Sequence, residues 1–189
     1  QLMYVSFCFF VGFKAAYALF NRLFTPQYPL ATFVAAVFYM YNSVVARLLG
    51  GTFNFLSSYA FIALFLVLFI KFIQERRKRD LVASGMALAM VFGPNLVFGF
   101  VALFGAGIYI LYGMITDGFK FSKNFIPLGV SFFISILLIA WWFLPSFLLT
   151  RVAADDVATV INSEDFYNLD TGPMNIIRSL GDWSFFSGH

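Results

Sequence analysis

Charge is what this chain has least of. Only 11% of its 189 residues are Asp, Glu, Lys or Arg, while 61% are hydrophobic and the mean hydropathy is +0.87. A water-soluble domain has roughly 25% charged and about 45–50% apolar residues. A chain this short of charge cannot cover a core of matching size with polar surface. That excludes a soluble globular domain and points to a polytopic membrane protein. The single cysteine, Cys8, excludes a disulfide within the chain and any paired-cysteine metal site. Inside an apolar run it reads as a small buried hydrophobe. There is no His-x-x-His pair, glycine-rich phosphate loop or nucleophile elbow. No cofactor is identified, and a divalent metal is neither indicated nor excluded. The chain opens on Gln1 inside an apolar run without a basic leader, so it reads as an internal piece of a larger protein rather than as a signal peptide.

The charge that is present is unevenly placed. Four of the twelve Lys and Arg residues, Arg76, Arg77, Lys78 and Arg79, crowd into a short polar gap between two long apolar segments. Basic residues at segment ends are a membrane-topology signal, and the net charge of +3 is not read as a nucleic-acid signal. We therefore expect 74–80 to face the cytoplasm.

A membrane-spanning helix needs about 20 mostly apolar residues. The candidates are 2–20, 30–48, 53–73, 81–93, 96–116 and 125–149. Lys14 interrupts the first, where its stem can snorkel toward an interface. Pro26 and Pro29 break the chain before the second, and Gly50-Gly51-Thr52 turns it before the third. Residues 81–116 carry no charge and would run about 54 Å as one helix, well beyond a core of about 30 Å. Gly93-Pro94-Asn95 lies near the middle, and proline removes a backbone donor and clashes with the previous turn. We expect a hairpin there, with 81–93 short. Such a break is tolerated in lipid only where protein or water satisfies the freed groups. The hairpin places 117–124, with Lys120 and Lys123, on the cytoplasmic side with the basic cluster. Loop 21–28, with Arg22, falls there too, and the acidic tail 150–189 falls outside. The expected fold is all-α: a polytopic transmembrane helical bundle of about six segments, one short or broken, with a small extracytoplasmic C-terminal segment.

The polar exceptions are few. Arg47 lies near the outer end of the second segment. It either snorkels to outer head groups or presents its planar fork to a lipid phosphate. Asn42, five residues earlier, reads first as an amide seeking an interhelical partner in hydrocarbon. Tyr39 and Tyr41 read as packing or belt residues. The tail has the densest polar chemistry, with Asp155, Asp156, Glu164, Asp165, Asp170 and Asp182. These carboxylates could serve as general bases or metal ligands, although solvated loop acids are the commoner case.

Several stretches taken in order carry a resemblance. AAVFYMYNSVVARLLGGTFNFLSSYAFIALFLVLF has an apolar helix ending in Tyr and Asn, then Arg, a glycine turn and a long helix that opens with a Tyr. WWFLP closes the last span, and FYNLDTGPMNIIRSLGDWSF follows. Over roughly residues 30–186 this resembles the large integral-membrane glycosyltransferases of the GT-C type, the arabinofuranosyltransferase-like and YfhO-like proteins of archaea and bacteria. Ser43 departs from the family pattern, where proline is common.

The resemblance implies transfer of a sugar from a polyprenyl-phosphate donor to an extracytoplasmic acceptor, in a prokaryotic cell membrane. It puts the catalytic acid on a loop that would lie before Gln1, so the catalytic residues are unknown. It leaves Arg47 and Asn42 at the outer face, with Arg178, Asp182 and Trp183 on the outer side of the tail, as donor-binding candidates. Membrane lipids and other membrane subunits are the remaining expected partners. The alternatives are a non-catalytic membrane subunit and a transporter. The broken helix favours the transporter, and the absence of acids in 53–70 and 81–116 counts against it.

Overall fold

The computed structural model describes residues 2–24, 28–42, 45, 53–116 and 121–160, with backbone alone at 53–54, 121–122, 142–143 and 145–160. Among the described residues the fold is all-α, with no strand. The helices are α1 (Leu2–Leu23), α2 (Pro29–Met40), α3 (Phe53–Glu75), α4 (Lys78–Phe92), α5 (Leu96–Thr116) and α6 (Phe121–Val160). Four stretches are long and apolar enough to cross a membrane: Leu2–Leu23, Phe55–Glu75, Leu96–Thr116 and Lys123–Trp141. At about 1.5 Å per residue, the 12 residues of α2 and the 15 of α4 span only about 18 and 22 Å. The chain divides into two compact units, Gln1–Leu138 and Ile139–His189. The packing below is that of the first.

Helix α3 is the centre of this unit and packs against α1, α4 and α5. Its buried face meets α1 and α2 in a cluster of Ala15, Ala16, Leu19, Ala36, Ala63, Val67 and Ile70. Small residues on all three helices let the backbones approach, which is how helices associate where lipid tails are as apolar as leucine. The outward faces carry the large apolar side chains, Phe7, Phe10, Phe104 and Phe133 among them. At Gly85 the approach of α4 to α6 is close enough that a Cβ would sit 2.7 Å from the Cβ and Cγ2 of Ile134. Beside it, the buried hydroxyls of Ser84 and Ser131 meet at 2.8 Å.

The expected break in 81–116 is present: α4 ends at Phe92 and α5 starts at Leu96. Both freed ends find partners. The buried Ser58 hydroxyl of α3 donates to the Val91 carbonyl at 2.8 Å. Asn95 Oδ1 accepts from the backbone N–H groups of Val97 and Phe98 at 2.8 and 3.4 Å, capping α5. Ser58 lies near the start of α3 and Val91 near the end of α4, so α4 runs antiparallel to α3. Helix α5 then returns, bringing Tyr109 within 3.4 Å of Gln74.

The second expected segment contains a break in helical geometry at Tyr41. Of the span predicted over 30–48, α2 covers the part to Met40, Val45 is again helical, and 43–44 and 46–48 lie outside the described residues. Tyr41 leaves helical geometry, with φ −119° and ψ 63°. The Asn42 amide takes the carbonyls of Tyr39 and Phe38 at 2.7 and 3.4 Å, and its Oδ1 accepts from the Val45 N–H at 3.1 Å. The Asn42 side chain thus serves backbone groups on both sides of the break.

Candidate functional site

One end of the bundle is basic and networked. Arg22 at the end of α1 donates to Gln74 Oε1 at 2.6 Å and to Glu75 Oε1 at 2.9 Å at the end of α3. The other Glu75 oxygen meets Arg77 Nε at 3.2 Å. These pairs are exposed, and such pairs individually add little to stability. Their value here is geometric: the end of α1, the 76–79 cluster and the start of α6 lie at one end.

The link to α6 runs through Arg76. This residue has φ 56°, a left-handed conformation in which a side chain is strained. From there its guanidinium donates to the Lys123 carbonyl at 2.9 Å and to Oδ1 of the buried Asn124 at 2.5 Å. Lys123 needs an outside donor. Four residues on stands Pro127, which has no N–H to return to that carbonyl. Arg76 supplies the bond that the proline withholds.

Asp80, in the first turn of α4, is only 5% exposed. The sequence places it in a polar gap facing water. It is instead buried under the cluster, with Oδ1 3.6 Å from Lys71 Nζ and 3.8 Å from Arg79 Nε. Its Oδ2 has no hydrogen-bond partner among the described residues.

The opposite end is aromatic. Tyr39 of α2 and Tyr59 of α3 stack at 4.7 Å with planes 17° apart. Each hydroxyl donates to the other's backbone carbonyl, Tyr39 to Tyr59 at 2.7 Å and Tyr59 to Tyr39 at 2.9 Å. The Tyr59 hydroxyl also accepts from Asn42 Nδ2 at 2.7 Å. Beside this knot, α1 and α2 enclose a groove of about 380 Å³ lined by Phe9, Phe10, Phe13, Phe33, Val37 and Tyr41. Among the described residues no charged side chain lines it. Phe9 packs on Tyr41 at 5.4 Å and Phe13 on Phe33 at 5.6 Å. The volume falls within the range of small-molecule sites, about 300–1,000 Å³.

Of the residues singled out in the sequence, Asn42 is described, and its amide is engaged within the fold. Arg47, Arg178, Asp182 and Trp183 lie outside the described residues. Ser58, Tyr59 and Asp80 were not singled out, and Arg76 only as a member of the basic cluster. For Arg76 a signal existed, the Lys123–Pro127 spacing. For Asp80 there was none, because a helix that begins inside a basic run looks like a loop. Among the described residues no three His, Cys, Asp or Glu side chains are grouped to hold a metal ion. No family model, curated protein or solved structure matches the chain.

Proposed function

We propose that this chain is the membrane part of a GT-C-like glycosyltransferase that moves a sugar from a polyprenyl-phosphate donor to an extracytoplasmic acceptor. Arg76–Arg79 then face the cytoplasm, and the tail 150–189 lies outside. The observation that carries the reading is the groove between α1 and α2. It is apolar and aromatic, and it runs along α1 and α2 as far as Tyr41, beside the aromatic knot. A prenyl chain is a hydrocarbon that such a lining suits. A phosphate held at the adjacent outer interface is the group an arginine such as Arg47 would recognise. The resemblance over residues 30–186 supplies the reaction class.

The test is photo-crosslinking with a diazirine-bearing polyprenyl phosphate in reconstituted vesicles. Labelling should concentrate on Phe10 and Phe33, and Arg47→Ala should weaken it severalfold. Labelling spread evenly over the lipid-facing phenylalanines, and indifferent to Arg47→Ala, would contradict the proposal.

A second reading, a non-catalytic subunit of a larger complex, is favoured by one observation. The outward face of α1 carries exposed Ser6, Lys14 and Asn21 where lipid would select apolar side chains.

A further inference from the structure

Lys14 is the thirteenth of the 22 residues of α1 and is exposed. At about 1.5 Å per residue it stands about 18 Å along the axis from Leu2 and about 14 Å from Leu23, near the middle of the span. Its ammonium is 5.9 Å from the centroid of the Phe10 ring, the cation contact found for it among the described residues. An ammonium at such depth on a lipid-facing surface is costly and normally turns toward a counter-charge or water. A single phenylalanine face is a weak substitute for either.

The surroundings of Lys14 also look like an interface. Ser6, Phe10, Lys14, Ala18 and Asn21 fall on one face of α1, all exposed. Two polar residues, one small residue and a lysine on one stripe match the composition of surfaces that pack against another membrane helix. The opposite face, with Cys8, Gly12, Ala15, Ala16 and Leu19, is already buried against α2 and α3.

The counter-charge does not come from another copy of this chain. Residues 1–74 contain no Asp or Glu, and neither do 81–116. The nine acids sit at Glu75, Asp80, Asp117 and beyond position 150, at or outside segment ends. We infer that the Lys14 face of α1 docks a membrane helix of different sequence that carries a carboxylate at mid-depth. The inference rests on the subunit reading and not on the glycosyltransferase reading, with which it shares only Phe10.

The experiment uses the full chain in phosphatidylcholine vesicles, with a donor dye on a cysteine replacing Tyr28 in a Cys8→Ala background. The probe is an acceptor-labelled polyleucine helix of about 21 residues with one central Glu, compared with the same helix carrying Gln or Leu. Energy transfer should show the Glu helix associating on the order of tenfold more tightly than the Leu helix. Lys14→Leu should remove that preference and Lys14→Arg should retain it. Equal transfer for the three helices, or a Glu preference that survives Lys14→Leu, overturns the inference. So does loss of the preference on adding dilute phosphatidylglycerol, which would assign the ammonium to a lipid phosphate.

Discussion

Tyr39 and Tyr59 are joined face to face, each hydroxyl donating to the backbone carbonyl of the other residue at 2.7 and 2.9 Å. The pair is the clamp that ends α2. It holds two carbonyls in place while Asn42 fills the missing turn and bonds the Tyr59 hydroxyl. Tyr59→Phe removes a donor to Tyr39 and an acceptor for Asn42 together. We expect it to cost about 1–2 kcal/mol, read by steric-trapping unfolding in bicelles. Asn42→Ala should cost a similar amount. The double variant should lose less than the sum, because the two side chains share a bond.

A separate prediction concerns the proline that leaves a carbonyl open. Arg76→Ala should destabilise by about 1 kcal/mol, a modest figure because the side chain is largely exposed. Arg76→Gly should lose less, since glycine relieves the left-handed strain at φ 56°. In a Pro127→Ala background the Lys123 carbonyl regains an N–H within its own helix, so the penalty of Arg76→Ala should shrink. An identical penalty in both backgrounds would show that Arg76 does not serve that carbonyl.

How far the sequence could be read differs between these features. Gly93-Pro94-Asn95 announced its break through a missing donor and a capping side chain, and the helices part there. The charge bias of 76–79 and Lys123 announced that both lie at one end, and Arg76 touches the Lys123 backbone. Asn42 was read as a residue seeking an interhelical partner, and it bonds Tyr59 of α3. Its second effect, the break in helical geometry after Met40, was not legible. An amide cannot cap a turn until a neighbouring helix fixes its position. Ser58 was silent for the same reason: one serine among apolar residues acquires a role only when Val91 arrives beside it. Asp80 looked solvated because sequence shows the polar neighbours of a residue along the chain and not the helix that covers it.

Packing between α4 and α6 yields a third prediction. Gly85→Ala sets a Cβ 2.7 Å from Ile134 and 3.2 Å from the Ser131 carbonyl oxygen, with backbone on one side unable to yield. We expect a loss of about 1–3 kcal/mol from overpacking. Ile134→Ala should recover part of it in the double variant, while destabilising the parent by leaving a cavity. The unfolding assay used for Tyr59 reads both.

The topology we propose, read from the placement of Lys and Arg in the sequence, puts Arg76–Arg79 and the tail beyond residue 150 on opposite sides of the membrane. Cys8 is the only cysteine, so a Cys8→Ala chain gives a clean background for single cysteines at Lys78 and Ser163. A membrane-impermeant maleimide applied to intact cells should label position 163 at once and position 78 only after lysis. Labelling of both before lysis, protection of both, or the reverse order would contradict it.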